Sequence, residues 1–295
     1  MRFTPQRALG KTGFVASTLG IGDLADAALG IEACATVLQR ALDVGLNVVD
    51  TAPAYEDGLS ERVVGRALVG RREGVFVVDK VDHLDRPVCE QMKGSLERLG
   101  FTPDAFVFHG VSRMEDWTSL VSPGGGFEQL EAERRAGHCR FRGVSSHHPD
   151  VVREAILSGL CDLVMFAIGP HVDRRYTDEL LPLAKERGVG TIGFKTFGAG
   201  KLVARTTGYG RPIPDDVDVE TLAPLLTIDD CVRTTLTLDP DVALLGLSTP
   251  EEQDAAFAAA ERFVPFGLEE LADVRRRAAE AVRNKGAIWW DPSTP

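Results

Sequence analysis

Eight short apolar runs, each followed by a stretch with apolar residues at helical spacing, most narrow what this 295-residue chain can fold into. In order they are VASTLGIG, LNVVD, VFVVDK, DAFVFHG, FRGVS, DLVMFAI, VGTIGFK and VALLGLS. The helical stretches fall near Ile31–Val44, Ser60–Val69, Arg86–Leu99, Phe127–Ala136, Pro149–Ser158, Asp178–Arg187, Ile228–Leu238 and Pro250–Glu261. Strands alternating with helices imply parallel βα units, and eight of them close a barrel. A doubly wound open sheet calls for a G-x-G-x-x-G turn after its first strand, and TLGIGDLADA has none. The expectation is an α/β fold, a (β/α)8 TIM barrel forming one domain over residues 1–295. A lead-in broken by Gly10 and Gly13 precedes it, an irregular segment spans Gly198–Asp218, and an extra charged helix near Gly267–Arg283 follows.

Three of the runs stop on an ionisable side chain: Asp50, Lys80 and His109. Buried parallel strands that end this way present those groups at one rim, where barrel enzymes assemble their chemistry. Tyr55, just past Asp50 in TAPAYEDG, adds a phenol. A phenol is a weak acid at neutral pH unless a cation stabilises its phenolate, and Lys80 is placed to do so. A buried lysine needs a carboxylate to stay charged, which is a natural role for Asp50. His109 can donate to or orient a carbonyl oxygen. The four make a proton donor aimed at a carbonyl oxygen. None is a hydride source, so a nicotinamide is implied.

Lys and Arg total 33 against 44 Asp and Glu, a net charge of −11, which disfavours nucleic acid or an acidic membrane surface as partner. The five cysteines are scattered without a C-x-x-C pair, so reduced thiols are expected rather than disulfides or a zinc site. No apolar stretch approaches ~20 residues and the N-terminus lacks a signal-peptide core, so a cytoplasmic protein without a membrane span is expected.

The blocks VVDTAPAYEDGLSERVVGRAL, VFVVDK, VFHG, RGVSSHH, GFKTFGAG and LLGLSTPEE resemble, in order and spacing, those of the aldo-keto reductases. The resemblance covers nearly the whole chain, and its DTAPAYEDG block is the most specific part. It implies a barrel binding NADP(H) or NAD(H) across its C-terminal rim and acting on a small carbonyl or alcohol. Asp50, Tyr55, Lys80 and His109 then correspond to the family's catalytic tetrad. Tyr55 is the general acid, Lys80 lowers its pKa, Asp50 pairs with Lys80 and His109 orients the carbonyl.

For the cofactor, the resemblance implies Ser145 as a carboxamide contact. Ser146 stands where the family usually has Asn, and Met165 where it has Gln. Phe194 corresponds to the ring stacked on nicotinamide. Lys195, Thr196, Phe197, Gly198 and Gly200 correspond to the pyrophosphate loop, and Gly246 and Ser248 to the last βα loop. Glu252 replaces the family's common basic side chain near the 2′-phosphate, and Ala255 and Ala256 its adenine contacts. A carboxylate repels a phosphate but accepts hydrogen bonds from a ribose diol, so NADH rivals NADPH and the preference is open.

Each tetrad member alone has an ordinary structural reading; the set of four in one pattern does not. His147 and His148 are read as loop residues rather than metal ligands. Met114, Trp117, Tyr209, Trp289 and Trp290 are divided evenly between lining a substrate pocket and ordinary packing, with the tail folding over the barrel mouth. Two other classes stay open. One is a nicotinamide-sensing or scaffold barrel of little turnover, which the altered Ser146, Met165, Ala255 and Ala256 allow. The other is a metal-dependent hydrolase using His109. Oligomeric state and substrate identity are not legible.

Overall fold

The computed structural model describes residues 3–214, 217, 223, 225–246 and 249–290. Strands β1 (Gln6–Ala8) and β2 (Val15–Ser17) pair antiparallel. The barrel consists of β3 (Leu19–Ile21), β4 (Val48–Asp50), β5 (Phe76–Val81), β6 (Ala105–Phe108), β7 (Phe141–Ser145), β8 (Leu163–Ala167), β9 (Gly190–Phe194) and β10 (Val242–Leu245). Neighbours are parallel throughout, and β10 pairs with both β9 and β3 to close the ring.

VASTLGIG is therefore not one strand. At Ser17 the ladder's polar groups turn to side chains: its N–H donates to Asn47 Oδ1 at 2.7 Å and its hydroxyl to the Leu19 carbonyl at 2.6 Å. The chain leaves the hairpin there and enters the barrel.

Around the ring lie α1 (Ile31–Val44), α2 (Leu59–Ala67), α3 (Val88–Leu99), α4 (Met114–Val121), α5 (Gly126–Arg135), α6 (Pro149–Leu157), α7 (Leu181–Arg187), α8 (Ile228–Leu238), α9 (Pro250–Glu261) and α10 (Leu268–Ala281). A π-turn, Tyr176–Leu180, leads into α7. Helix α4 places Met114 and Trp117 on a helix rather than in a loop, and of the two readings left open for Trp117 it favours ordinary packing. Trp117 and Leu120 share its buried face, and the Trp117 ring meets Phe127 of α5 at 5.5 Å, in the outer layer.

Strand alternation sorts the core into two shells. Val48, Phe76, Val78, Ala105, Val107, Leu163, Met165, Ile192, Val242 and Leu244 fill the barrel interior. Val49, Val77, Phe106, Phe108, Val144, Val164 and Phe166 face the helices. The hairpin closes the N-terminal end of the interior: Leu9 joins the inner cluster, and the Phe14 ring lies 5.2 Å from Phe76, which stacks on Phe141. Gly10, at φ 48, is required here because a Cβ would strike the Gly190 backbone. The opposite, C-terminal end of the interior is not covered by this hairpin. All five cysteines are free thiols, and no helix among the described residues is long and apolar enough to cross a membrane.

Candidate active site

The inward parity of Val48, of Phe76 and Val78, and of Ala105 and Val107 carries on to Asp50, Lys80 and His109 at the C-terminal ends of β4, β5 and β6. Lys80 Nζ donates to Asp50 Oδ1 at 2.6 Å and to the Thr51 carbonyl at 2.8 Å. The ammonium stands 4.5 Å from the centre of the Tyr55 ring, which meets the His109 ring edge-on at 5.5 Å. The four expected groups are brought together.

The loop after β4 holds Tyr55 in an uncommon backbone. Its N–H donates to the Ala52 carbonyl at 3.2 Å, and Glu56, Asp57 and Gly58 follow with φ of 47°, 52° and 77°. Three successive left-handed residues, two of them not glycine, store strain beside the phenol. The Thr51 and Ser60 hydroxyls, 2.9 Å apart, tie the loop to the start of α2.

The electrostatics refine the expected role of Lys80. Burial pushes the Tyr55 phenol above its usual value, and the Lys80 ammonium is the strongest influence against that rise. Lys80 lowers the phenol relative to its buried surroundings, but the net shift is upward. Burial acts to discharge Lys80 itself, yet Asp50 and Tyr55 together hold its amine above the ordinary lysine value. The site carries a charged ammonium beside a protonated phenol.

Three groups that the strand-end pattern did not reveal also converge here. Asp82 bonds through Oδ1 to His109 Nδ1, and its Oδ2 accepts the Ala54 N–H at 2.6 Å. It lies two residues past Lys80, the same inward parity continued beyond the apolar run, which was the available signal. Asp23, just after β3, is pushed up by burial, and Asp50 adds to this. His147 sits partly buried against Phe194 at 4.9 Å. Burial pushes its imidazole down to about 3, with Lys195 and His109 adding to the effect. A cleft of about 710 Å³ opens beside His109 and Asp82, bordered by Asp57, Arg86, Glu90 and Arg98.

The expected cofactor positions divide. Ser145 ends β7 facing inward, and Phe194 ends β9 at the same rim. Ser146 is fully buried with its hydroxyl committed to the backbone of His148, and Met165 is packed in the inner core with no polar group to offer. Lys195, at φ 69, directs its ammonium to the Tyr209 hydroxyl, 4.9 Å from that ring's centre. Thr196 donates to the Leu244 carbonyl at 3.3 Å, and Phe197 packs into the outer core. Gly198 and Gly200 have φ of 55° and 87°; a Cβ on Gly198 would press on Leu202 and Trp290. Gly246 is exposed with open space around it. Ser248 lies outside the described residues. Glu252 is exposed in the first turn of α9, which Thr249 caps, and Ala256 is buried beneath that helix. Trp289 packs against Tyr209 with the ring centres 5.7 Å apart and the planes tilted by 35°, while Trp290 is fully buried with its indole N–H on the His171 carbonyl at 2.9 Å. Among the described residues no group of three or more His, Cys, Asp or Glu could hold a metal ion.

The family model described as Aldo/keto reductase family matches residues 18–261. The NADH-specific methylglyoxal reductase of Escherichia coli is 28% identical over 229 residues, covering 68% of this chain and 69% of that protein. The D-threo-aldose 1-dehydrogenase of a Pseudomonas species is 27% identical over 295 aligned positions, covering 81% and 87%. An aldo-keto reductase of Bacillus halodurans, solved in its holo form, superposes with a TM-score of 0.72 at 23% identity, covering 92% and 96%. The chain belongs to the aldo-keto reductase family.

Proposed function

We propose that this aldo-keto reductase interconverts an aldehyde or ketone and its alcohol with Tyr55 as the proton donor and acceptor, the whole barrel acting as one domain. The observation that carries the assignment is the buried Lys80 ammonium, held 2.6 Å from Asp50 and facing the Tyr55 ring. Tyr55 gives its proton to the carbonyl oxygen in reduction. Lys80 stabilises the phenolate left behind, and Asp50 keeps Lys80 charged. His109 orients the oxygen.

The donor set fits a nicotinamide dinucleotide: an inward Ser145 hydroxyl, the Phe194 ring, Lys195, and a loop whose Gly198 and Gly200 both sit at positive φ, with a side chain on Gly198 meeting Leu202. When bound, that group supplies the hydride, which no side chain here can provide. Glu251 and Glu252 in the first turn of α9 disfavour a 2′-phosphate and favour ribose hydroxyls. The Escherichia coli relative is named NADH-specific and the Pseudomonas relative a sugar dehydrogenase, which supports testing NADH and both reaction directions.

The test is Tyr55→Phe. Turnover is expected to fall by roughly 10²–10⁴-fold, the range for removing a general acid, with NADH affinity near the parent's. Equal turnover would refute the assignment. The committed Ser146 hydroxyl and the apolar Met165 favour a second reading, a nicotinamide-binding barrel of little turnover. NADH fluorescence quenching without oxidation across a panel of aldehydes supports that reading instead.

A further inference from the structure

We propose that Asp82 is a positioning residue that selects the tautomer of His109, so that the ring donates to a carbonyl oxygen only when protonated and accepts from an alcohol when neutral. The inference rests on reading Tyr55 and His109 as the pair that faces the reacting oxygen.

Asp82 joins the two halves of that pair. One carboxylate oxygen bonds to His109 Nδ1, and the other accepts, at 2.6 Å, the N–H of Ala54, the residue before Tyr55. The Asp82 side chain is only 8% exposed although it borders an open cleft. An ionised carboxylate has no hydrogen to give, so the neutral imidazole that bonds to it carries its hydrogen on Nδ1. Nε2 is then a lone pair, suited to an alcohol hydroxyl. A second proton turns Nε2 into a donor suited to a carbonyl, and His109 keeps both protons while Tyr55 supplies the one that moves.

Other charges face the same ring. Tyr55 packs on its edge, and Asp50 and His147 interact with it electrostatically. Across the cleft stand Asp57, His83, Arg86, Glu90 and Arg98. Of all these, only Asp82 bonds to a ring nitrogen among the described residues.

The variant Asp82→Asn reverses the selection without changing shape. The Ala54 N–H holds the amide oxygen, so the amide NH2 is turned toward His109 and donates to Nδ1, moving the imidazole hydrogen to Nε2. Nitrogen-15 NMR reads this directly, with the His109 signal identified by its loss in His109→Gln. With the ring neutral, the parent is expected in the Nδ1–H form and Asp82→Asn in the Nε2–H form. Asp82→Glu, which keeps a carboxylate, should restore the parent form. In the parent, kcat/KM for aldehyde reduction should be lower at pH 9 than at pH 6. In Asp82→Asn the ratio of the rate at pH 9 to that at pH 6 should rise by about tenfold or more, within the range of general acid–base effects.

An Nε2–H parent, or the same tautomer in parent and Asp82→Asn, overturns the proposal. So does a parent-like pH profile in a folded Asp82→Asn that binds NADH normally. A parent that turns over neither aldehydes nor alcohols removes the functional reading instead, and the NMR comparison still decides the tautomer.

Discussion

The Lys80 ammonium and the Asp50 carboxylate form an almost fully buried ion pair, 2.6 Å apart, with 1% and 5% of their side chains exposed. Such a pair gives modest net stability, but breaking it leaves a bare charge in the interior. Lys80→Met is expected to cost about 3–5 kcal/mol because Asp50 loses its partner. Adding Asp50→Asn should recover most of that stability while turnover stays lost. Denaturant midpoints and NADH oxidation on the two variants separate the fold role from the chemical one; restored turnover in the double variant would contradict the assignment to Lys80.

Asp79 points the other way from Lys80, toward the helices, where Arg98 already pairs with Glu61. Burial, with Glu61 adding to it, pushes the Asp79 carboxyl well above the usual range. Because the folded protein holds this proton more tightly than the unfolded chain, the group's contribution is complete below the unfolded value near ~3.9 and fades as pH rises through the folded value. Asp79→Asn keeps an acceptor for the Lys80 N–H, which Asp79 now takes at 2.8 Å, and removes the titration. The variant should unfold a few degrees higher than the parent at pH 7, equivalent to roughly 1–2 kcal/mol, with no advantage at pH 3.5. A lower unfolding temperature at neutral pH would contradict this.

The face that carries the candidate site was legible because strand alternation has a period of two: once Val48, Phe76, Val78, Ala105 and Val107 are read as interior, Asp50, Lys80 and His109 must share that face. Asp82 obeys the same parity but lies beyond the apolar run, so a reading that stopped at the charged residue missed it. The split of VASTLGIG at Ser17 was hidden because both halves are apolar and the break is made by Asn47, thirty positions away. Helix α4 was missed for a related reason: eight residues rich in polar groups become helical through the burial of Trp117 and Leu120 against α5, a tertiary effect. The phenol's net upward shift was equally out of reach, since it depends on how deeply Tyr55 is buried.

Cofactor choice should respond to the first turn of α9. Glu252 is exposed there, its backbone N–H bonded to the Thr249 hydroxyl at 3.3 Å, so its side chain can be changed without disturbing the cap. Glu252→Lys replaces a repelling charge with an attracting one and should raise the NADPH-to-NADH ratio of kcat/KM by about tenfold, the effect of roughly 1.4 kcal/mol at a screened surface site. Steady-state kinetics with both cofactors test this, and an unchanged ratio removes Glu252 from the cofactor site.

The two adjacent tryptophans should behave oppositely. Trp290 is fully buried, bonded to the His171 carbonyl at 2.9 Å and pressed close to Gly198 at the rim. Trp290→Ala should cost roughly 3–5 kcal/mol, as for other buried aromatic truncations, and loosen the Lys195–Gly200 loop it braces. Trp289 is 44% exposed, with the Tyr209 ring centre 5.7 Å and the Lys195 ammonium 6.0 Å from the centre of its ring. Removing it should leave thermal stability nearly unchanged. It frees Lys195 from one of its cation–π neighbours, so NADH affinity should change more than the unfolding temperature does. Melting curves and NADH fluorescence titrations on both variants distinguish them, and a stable Trp290→Ala with unaltered NADH binding would show that the tail does not brace the rim.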